Sequence, residues 1–272
     1  MRQSKNHFVY WRKNRYSGSN FNDLFENDIE VKKIPFLNIY YKGLRILNNA
    51  KYRNSVFFYL EKKDVIKNNF STPLFDTKKN FWYRVNNGVS IDYEYENIPH
   101  GLRKEYLSLL NNLIISKKVK LIVEEFIKNN FTDEIVGFQL RTWADENRRA
   151  KMFDIQEYKK IANQLDKGVK IFVTSDKYEV INELKKNYKD QIISYSKPDQ
   201  ILSSDENHSN NKDYSINSLV EILLLSKCKT IYGSYLSNFS EMAWWYSGCN
   251  AKVHIVNTPT IQDGEIIKNV TG

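Results

Sequence analysis

From residue 116 onward the apolar positions switch repeatedly between helical and strand spacing. Val119, Ile122, Val123 and Phe126 recur at helical spacing behind Ser116, which predicts a capped helix. Ile135–Arg141 is a short apolar run closed by an arginine and predicts a strand. A polar loop follows, then a helix over about Asp154–Leu165. Gly168 breaks the chain before a second strand, Val169–Thr174, which ends in Ser175-Asp176. A helix over about Tyr178–Tyr188 leads to a short strand at Ile192–Ser194, and the polar stretch Lys197–Asp213 reads as a loop. Ser215 is placed to cap a helix with Leu219, Ile222 and Leu223 turned inward. Thr230–Gly233 predicts a strand, Ser237 the start of a helix reaching about Ser247, and Lys252–Val256 a last strand. Strands and helices in alternation predict an α/β, Rossmann-like domain built on a doubly wound parallel sheet.

The first half is less regular. Phe8–Trp11, Phe36–Tyr41 and Val56–Leu60 have strand character, and Leu102–Leu113 has helical character. The expected division is an N-terminal α/β domain over 1–131 and a C-terminal Rossmann-like domain over 132–272.

Composition narrows the function classes. With 272 residues, 41% hydrophobic and 27% charged, the chain is globular in character. A net charge of +9 invites nucleic acid, a membrane surface or an anionic substrate as partner. Lysine, asparagine, isoleucine, tyrosine and phenylalanine are all abundant together, which an AT-rich genome would produce. No lysine stripe interleaved with aromatics marks one element, so nucleic acid is not expected as a partner. The apolar piece Phe8–Trp11 is far too short for a signal-peptide core, and no run approaches a membrane span. The expectation is a cytoplasmic protein without a transmembrane segment, with peripheral membrane contact left open. Cys228 and Cys249 form no CxxC, and the four histidines show no ligand spacing.

Several chemistries are missing their motifs. No GxGxxG follows a strand, and no GxxxxGK[ST], HExxH or GxSxG is present. The sequence also lacks Asp-x-Asp, the carboxylate pair that commonly places a divalent cation on a sugar nucleotide. An anionic ligand would therefore be met by arginine, hydroxyls and helix-terminal N–H groups, with neither metal nor cofactor.

Such a site can be assembled from strand ends. In a parallel α/β sheet the carboxyl ends of the strands face the ligand crevice, which would deliver Arg141 to its rim. A guanidinium there suits a diphosphate or carboxylate. Alternatively, Arg141 is a structural residue paired with Asp145 or Glu146. Thr174-Ser175-Asp176 offers hydroxyls and a carboxylate for a base or ribose, unless Asp176 merely caps the next helix. The turn containing Ser234, Ser237, Asn238 and Ser240 lies at a strand-to-helix junction, where exposed N–H groups attract anions. Its plainer reading is an ordinary turn with Ser237 as N-cap. Glu221 sits between Val220 and Ile222 on a mostly apolar helix and requires a partner or a ligand.

Four segments together carry a family resemblance. The stretch Phe8–Glu26 has Trp11, Phe21, Leu24 and Phe25 in a W…F..LF arrangement; Val136–Asp145 reads VGFQLRTWAD; Ile171–Asp176 reads IFVTSD; Leu219–Ser240 reads LVEILLLSKCKTIYGSYLSNFS. In this order they resemble the superfamily of nodulation and core α1,6-fucosyltransferases and, more distantly, protein O-fucosyltransferases. The second is similar to the family's G-V-H-x-R-x-x-D motif. The third resembles its T-D strand end, and the fourth its acid, leucine-rich helix, strand and serine-rich turn.

The resemblance implies a GT-B enzyme with two Rossmann-like domains. Its implied activity is metal-independent, inverting transfer of fucose from GDP-fucose to a carbohydrate acceptor. It casts Arg141 on the β-phosphate, Asp176 at the guanosine, Glu221 near the nucleotide and Ser237 on phosphate. Asp145 and Glu146 become the nearest candidates for the base. Two departures stand out: Gln139 replaces the family's usual histidine, and Glu221 its frequent aspartate. The chain also begins close to the first shared segment, without the upstream Gly-rich strand and loop of relatives. These departures leave open a GT-B transferase with another sugar nucleotide, or a non-catalytic nucleotide- or glycan-binding relative.

Overall fold

The computed structural model describes residues 8–10, 18–28, 30–32, 100–142, 153–196, 212–234 and 237–256. The chain divides into two compact units, one of residues 1–12 and 29–89, the other of 13–28 and 90–272. In the first, β1 (Phe8–Tyr10) and β2 (Glu30–Lys32) pair in parallel, Val9 opposite Val31. The strands expected at Phe36–Tyr41 and Val56–Leu60, and with them a second Rossmann-like sheet, lie outside the described residues.

The second unit holds a five-stranded sheet. Its strands are β3 (Ile135–Leu140), β4 (Lys170–Ser175), β5 (Ile192–Ile193), β6 (Thr230–Ser234) and β7 (Lys252–Val256), in the order β5-β4-β3-β6-β7. All neighbours are parallel. Parallel strands require crossovers, and helices supply them: α4 (Ile155–Gln164), α5 (Tyr178–Asn187), α6 (Lys212–Leu225) and α7 (Asn238–Tyr246). Ahead of the sheet come α1 (Phe21–Leu24), α2 (His100–Asn111) and α3 (Lys117–Asn130). Among the described residues no helix is long and apolar enough to cross a membrane.

The sequence explains both covered faces. Phe138, Leu140, Ile171 and Val173 pack with Tyr158 and Ala162 of α4 and with Ile181 and Leu184 of α5. On the alternate positions Phe172 receives Phe126 and Phe131, from α3 and its end, at ring-centroid distances of 6.0 and 5.5 Å. Gly137 faces the end of α6, where a β-carbon would lie 2.5 Å from Leu225 Cδ1 and 3.1 Å from Cys228 Sγ. A strand buried on both faces reads as a nearly continuous apolar run, as β3 does.

Two expectations change. The helix expected to start after Ser215 already includes Lys212, so Ser215 is an interior residue and not the cap; Lys212 and Asp213 are helical, while 197–211 lie outside the described residues. Asp176 does not cap α5, whose N-cap is Lys177. The segment at 18–28 belongs to the second unit. The reason is packing: Phe21 and Leu24 are buried, and backbone bonds join Ser116 N to Leu24 O (2.9 Å) and Glu26 N to Ile114 O (2.7 Å). Ser116 also caps α3, accepting from Val119 N, as its position predicts.

Adding one methyl group at Gly137 tests the close approach of α6. Gly137→Ala is expected to lower unfolding free energy by about 1–3 kcal/mol through overpacking. Urea unfolding would show an earlier midpoint at unchanged slope; an unchanged midpoint would mean that α6 does not press on β3.

Candidate functional site

The strand order sets the site. β4 and β5 extend the sheet to one side of β3, then the chain crosses back through α6 to place β6 on the other side. The β3/β6 junction is thus a topological switch point, where an open α/β sheet presents its crevice beyond the strand ends. Arg141 and Thr142 follow β3 there, beside Ser234 at the end of β6 and Asp176 just past β4.

Hydrogen bonds hold this corner together. Asp176 Oδ2 pairs with Arg141 Nη1 at 3.0 Å, and its Oδ1 accepts from Thr142 N at 2.8 Å. Arg141 N donates to Ser234 Oγ at 2.8 Å. Ser234 in turn donates through its backbone N–H to Gln139 Oε1 at 3.2 Å, and its hydroxyl lies 3.1 Å from Gln139 O. The Arg141 side chain keeps 34% of its surface open, so the fork is oriented without being sealed. Among the described residues Asp176 is a carboxylate partner of Arg141; Asp145 and Glu146, offered as partner or base, lie outside the described residues.

Buried hydroxyls mark the same edge. Among the described residues Thr142 Oγ1, Thr174 Oγ1 and Ser194 Oγ are buried with no hydrogen-bond partner. Each sits at or just past the carboxyl end of β3, β4 or β5. An unmet buried hydroxyl costs about 1–3 kcal/mol, so such groups gathered on one sheet edge call for a polar ligand or water.

The serines divide. Ser175 Oγ accepts from Lys177 N at 3.1 Å and shapes the turn into α5. Ser237 is a buried N-cap whose Oγ accepts from Phe239 N at 3.3 Å. Ser240 Oγ donates to Ser237 O at 3.1 Å and is fully buried against Gly233, where a β-carbon would lie 2.8 Å from that oxygen. Ser240 therefore seats α7 close to the end of β6. The Asn238 side chain lies outside the described set.

Glu221 forms a separate group two strands away. It is buried on α6 and accepts a hydrogen bond from Ser196 Oγ, just beyond β5. Burial raises its pKa from 4.5 to about 7, against the opposing pull of the Ser196 hydroxyl and backbone bonds. Ser196 was not anticipated from sequence. Nor was Tyr158, which reads as one more core aromatic of α4; the available signal was that a buried phenol needs a partner.

No protein-family model matches the chain, and no curated protein sequence does. Several solved structures resemble it. Fucosyltransferase NodZ from Bradyrhizobium is 17% identical over 49% of this chain and 43% of that one, with a TM-score of 0.37. POFUT1 in complex with GDP is 15% identical over 56% and 50%, with a TM-score of 0.38. An Arabidopsis thaliana FUT1 mutant in complex with GDP is 18% identical over 58% and 37%, with a TM-score of 0.41. The aligned part is half or less of each of these neighbours.

The Glu221 environment makes stability depend on pH. In the unfolded chain the carboxyl titrates near 4.5, in the folded one at about 7. Between these values the folded state binds the extra proton, so this contribution is complete below pH 4.5 and lost as pH rises to about 7. The total is about 3 kcal/mol as an order of magnitude. Glu221→Gln should flatten this slope, gaining on wild type at pH 8 relative to pH 5 in chemical denaturation. Parallel stability curves for the two proteins would rule it out.

Proposed function

We propose that this chain is a GT-B-type glycosyltransferase that moves fucose from GDP-fucose to a carbohydrate acceptor, inverting the anomeric centre without a metal. The observation that carries the reading is Arg141 at the switch point. It is aligned by Asp176 and Ser234, partly open, and flanked by the unpartnered Thr142 and Thr174 hydroxyls. The motif resemblance supplies the identity of sugar and nucleotide. In this reading the sheet-bearing unit is the donor side and the reaction is cytoplasmic.

Transfer breaks the bond between fucose C1 and the β-phosphate oxygen, leaving the electron pair on GDP. Arg141 faces that growing charge, and an arginine already oriented by Asp176 needs little reorganisation to meet it. The acceptor hydroxyl attacks C1 from the opposite side, and its proton passes to a carboxylate, with Asp145 or Glu146 as candidates. Asp176 serves Arg141 first, because both its oxygens already accept from residues 141 and 142. The resemblance also casts Asp176 at the guanosine, and Asp176→Asn should then weaken GDP binding more than pyrophosphate binding.

A non-catalytic relative is the second reading. Gln139, in place of the family's histidine, has its amide oxygen committed to Ser234 N. That reading expects GDP binding with no turnover.

Arg141→Lys should lower fucose transfer roughly 100- to 1,000-fold while leaving the thermal midpoint nearly unchanged, since lysine cannot reproduce a two-point phosphate contact. Turnover within a few-fold of wild type would make Arg141 a structural residue. Separately, GDP should raise the midpoint more than equal concentrations of UDP or CMP, with or without EDTA. A ligand at 100 times its Kd adds about 2.7 kcal/mol. Equal shifts from all three nucleotides would point to bare phosphate recognition, and a strict need for added magnesium or manganese would remove the metal-free mechanism.

A further inference from the structure

The ladder between β3 and β6 stops at Gln139 opposite Gly233, while pairing with β4 continues through Leu140 opposite Ser175. Arg141 thus leaves the sheet where its β6 side is no longer held by backbone pairing. Side chains take over. The Tyr158 hydroxyl donates to Gln139 O at 2.9 Å and lies 3.0 Å from Ser234 Oγ. The Ser234 hydroxyl is 3.1 Å from the same Gln139 oxygen and accepts from Arg141 N at 2.8 Å. In this knot two hydroxyl protons fill two of the three contacts at a time, and in each arrangement Ser234 Oγ keeps a lone pair for the Arg141 N–H.

Tyr158 itself is fully buried on α4, against Phe138 at 5.5 Å and Phe153 at 6.3 Å between ring centroids. It cannot reach a ligand in the crevice. Burial also keeps the phenol protonated, so it is a fixed hydrogen-bond participant across the working pH range. For packing alone a phenylalanine would serve.

We propose that Tyr158 is a positioning residue that sets the Arg141 backbone, and through it the guanidinium, for binding a diphosphate. The proposal rests on reading this crevice as a diphosphate site. The latch runs from α4 to β6 to β3 through the buried residues Tyr158, Ser234 and Gln139. Tyr188 provides a matched control: its hydroxyl donates to Lys159 O at 3.1 Å and Asn163 Oδ1 at 2.9 Å, also on α4, but outside the knot.

Inorganic pyrophosphate titrated calorimetrically into the full chain is the probe. Tyr158→Phe should weaken its affinity roughly three- to tenfold, the range of one net hydrogen bond. Ser234→Ala, which opens the knot from β6, should do the same, and Tyr188→Phe should bind as wild type. In an Arg141→Lys background Tyr158→Phe should add little further loss, because both changes act on one contact. Wild-type affinity in both Tyr158→Phe and Ser234→Ala would overturn the latch, as would a loss that is undiminished in the Arg141→Lys background or equalled by Tyr188→Phe. If the wild-type protein binds neither pyrophosphate nor GDP, the diphosphate-site reading fails before any variant is compared, and the latch fails with it.

Discussion

The hydrogen bond from Arg141 N to Ser234 Oγ joins two strands that are far apart in sequence at the point where the sheet reverses its order. It meets the residue after β3 from the β6 side just where the backbone ladder between the two strands has ended. With it, the exit of β3 is tied to β6 through Ser234 and to β4 through Asp176. The guanidinium pair with Asp176 is partly exposed, and such pairs contribute only about 0–1 kcal/mol to stability. Its value is geometric: it limits where the fork can point.

That geometry is reinforced by how closely the second layer approaches. Gly233 lets Ser240 sit against the end of β6, and Gly137 lets the end of α6 lie on the centre of β3. Both glycines are places where a side chain would push a helix off the sheet. Because α6 also carries Glu221, its seating fixes where that carboxyl meets Ser196. The crevice edge is thus determined by packing beneath it, while the unmet hydroxyls of Thr142, Thr174 and Ser194 are where the edge remains chemically incomplete.

Glu221 and Arg141 show two different treatments of charge. Arg141 keeps solvent and a carboxylate partner. Glu221 is buried with the Ser196 hydroxyl and backbone N–H as donors, and burial outweighs them, so its pKa rises toward neutrality. A buried carboxyl is costly when ionised, which makes it sensitive to any further donor.

Local pattern was sufficient for much of this protein. The alternation of strand and helix from Ser116 to Val256, the caps at Ser116 and Ser237, and the arrival of Arg141 at a strand end all follow from periodicity and turn chemistry over a few residues. Sequence also singled out Asp176, Ser234 and Glu221 as polar groups in positions that needed explaining. What it could not supply were their partners. Asp176 pairs with Arg141, Gln139 Oε1 accepts from Ser234 N, and the Tyr158 hydroxyl donates to Gln139 O, and none of these pairings is written in the local pattern. Phe21 and Leu24 are buried, and Leu24 O accepts from Ser116 N, a pairing between segments far apart in the chain. Periodicity encodes which kind of element forms, but strand order and register are set by contacts between distant segments. Hydrogen-bond partners across the ends of β3, β4 and β6 exist only once that order has been chosen.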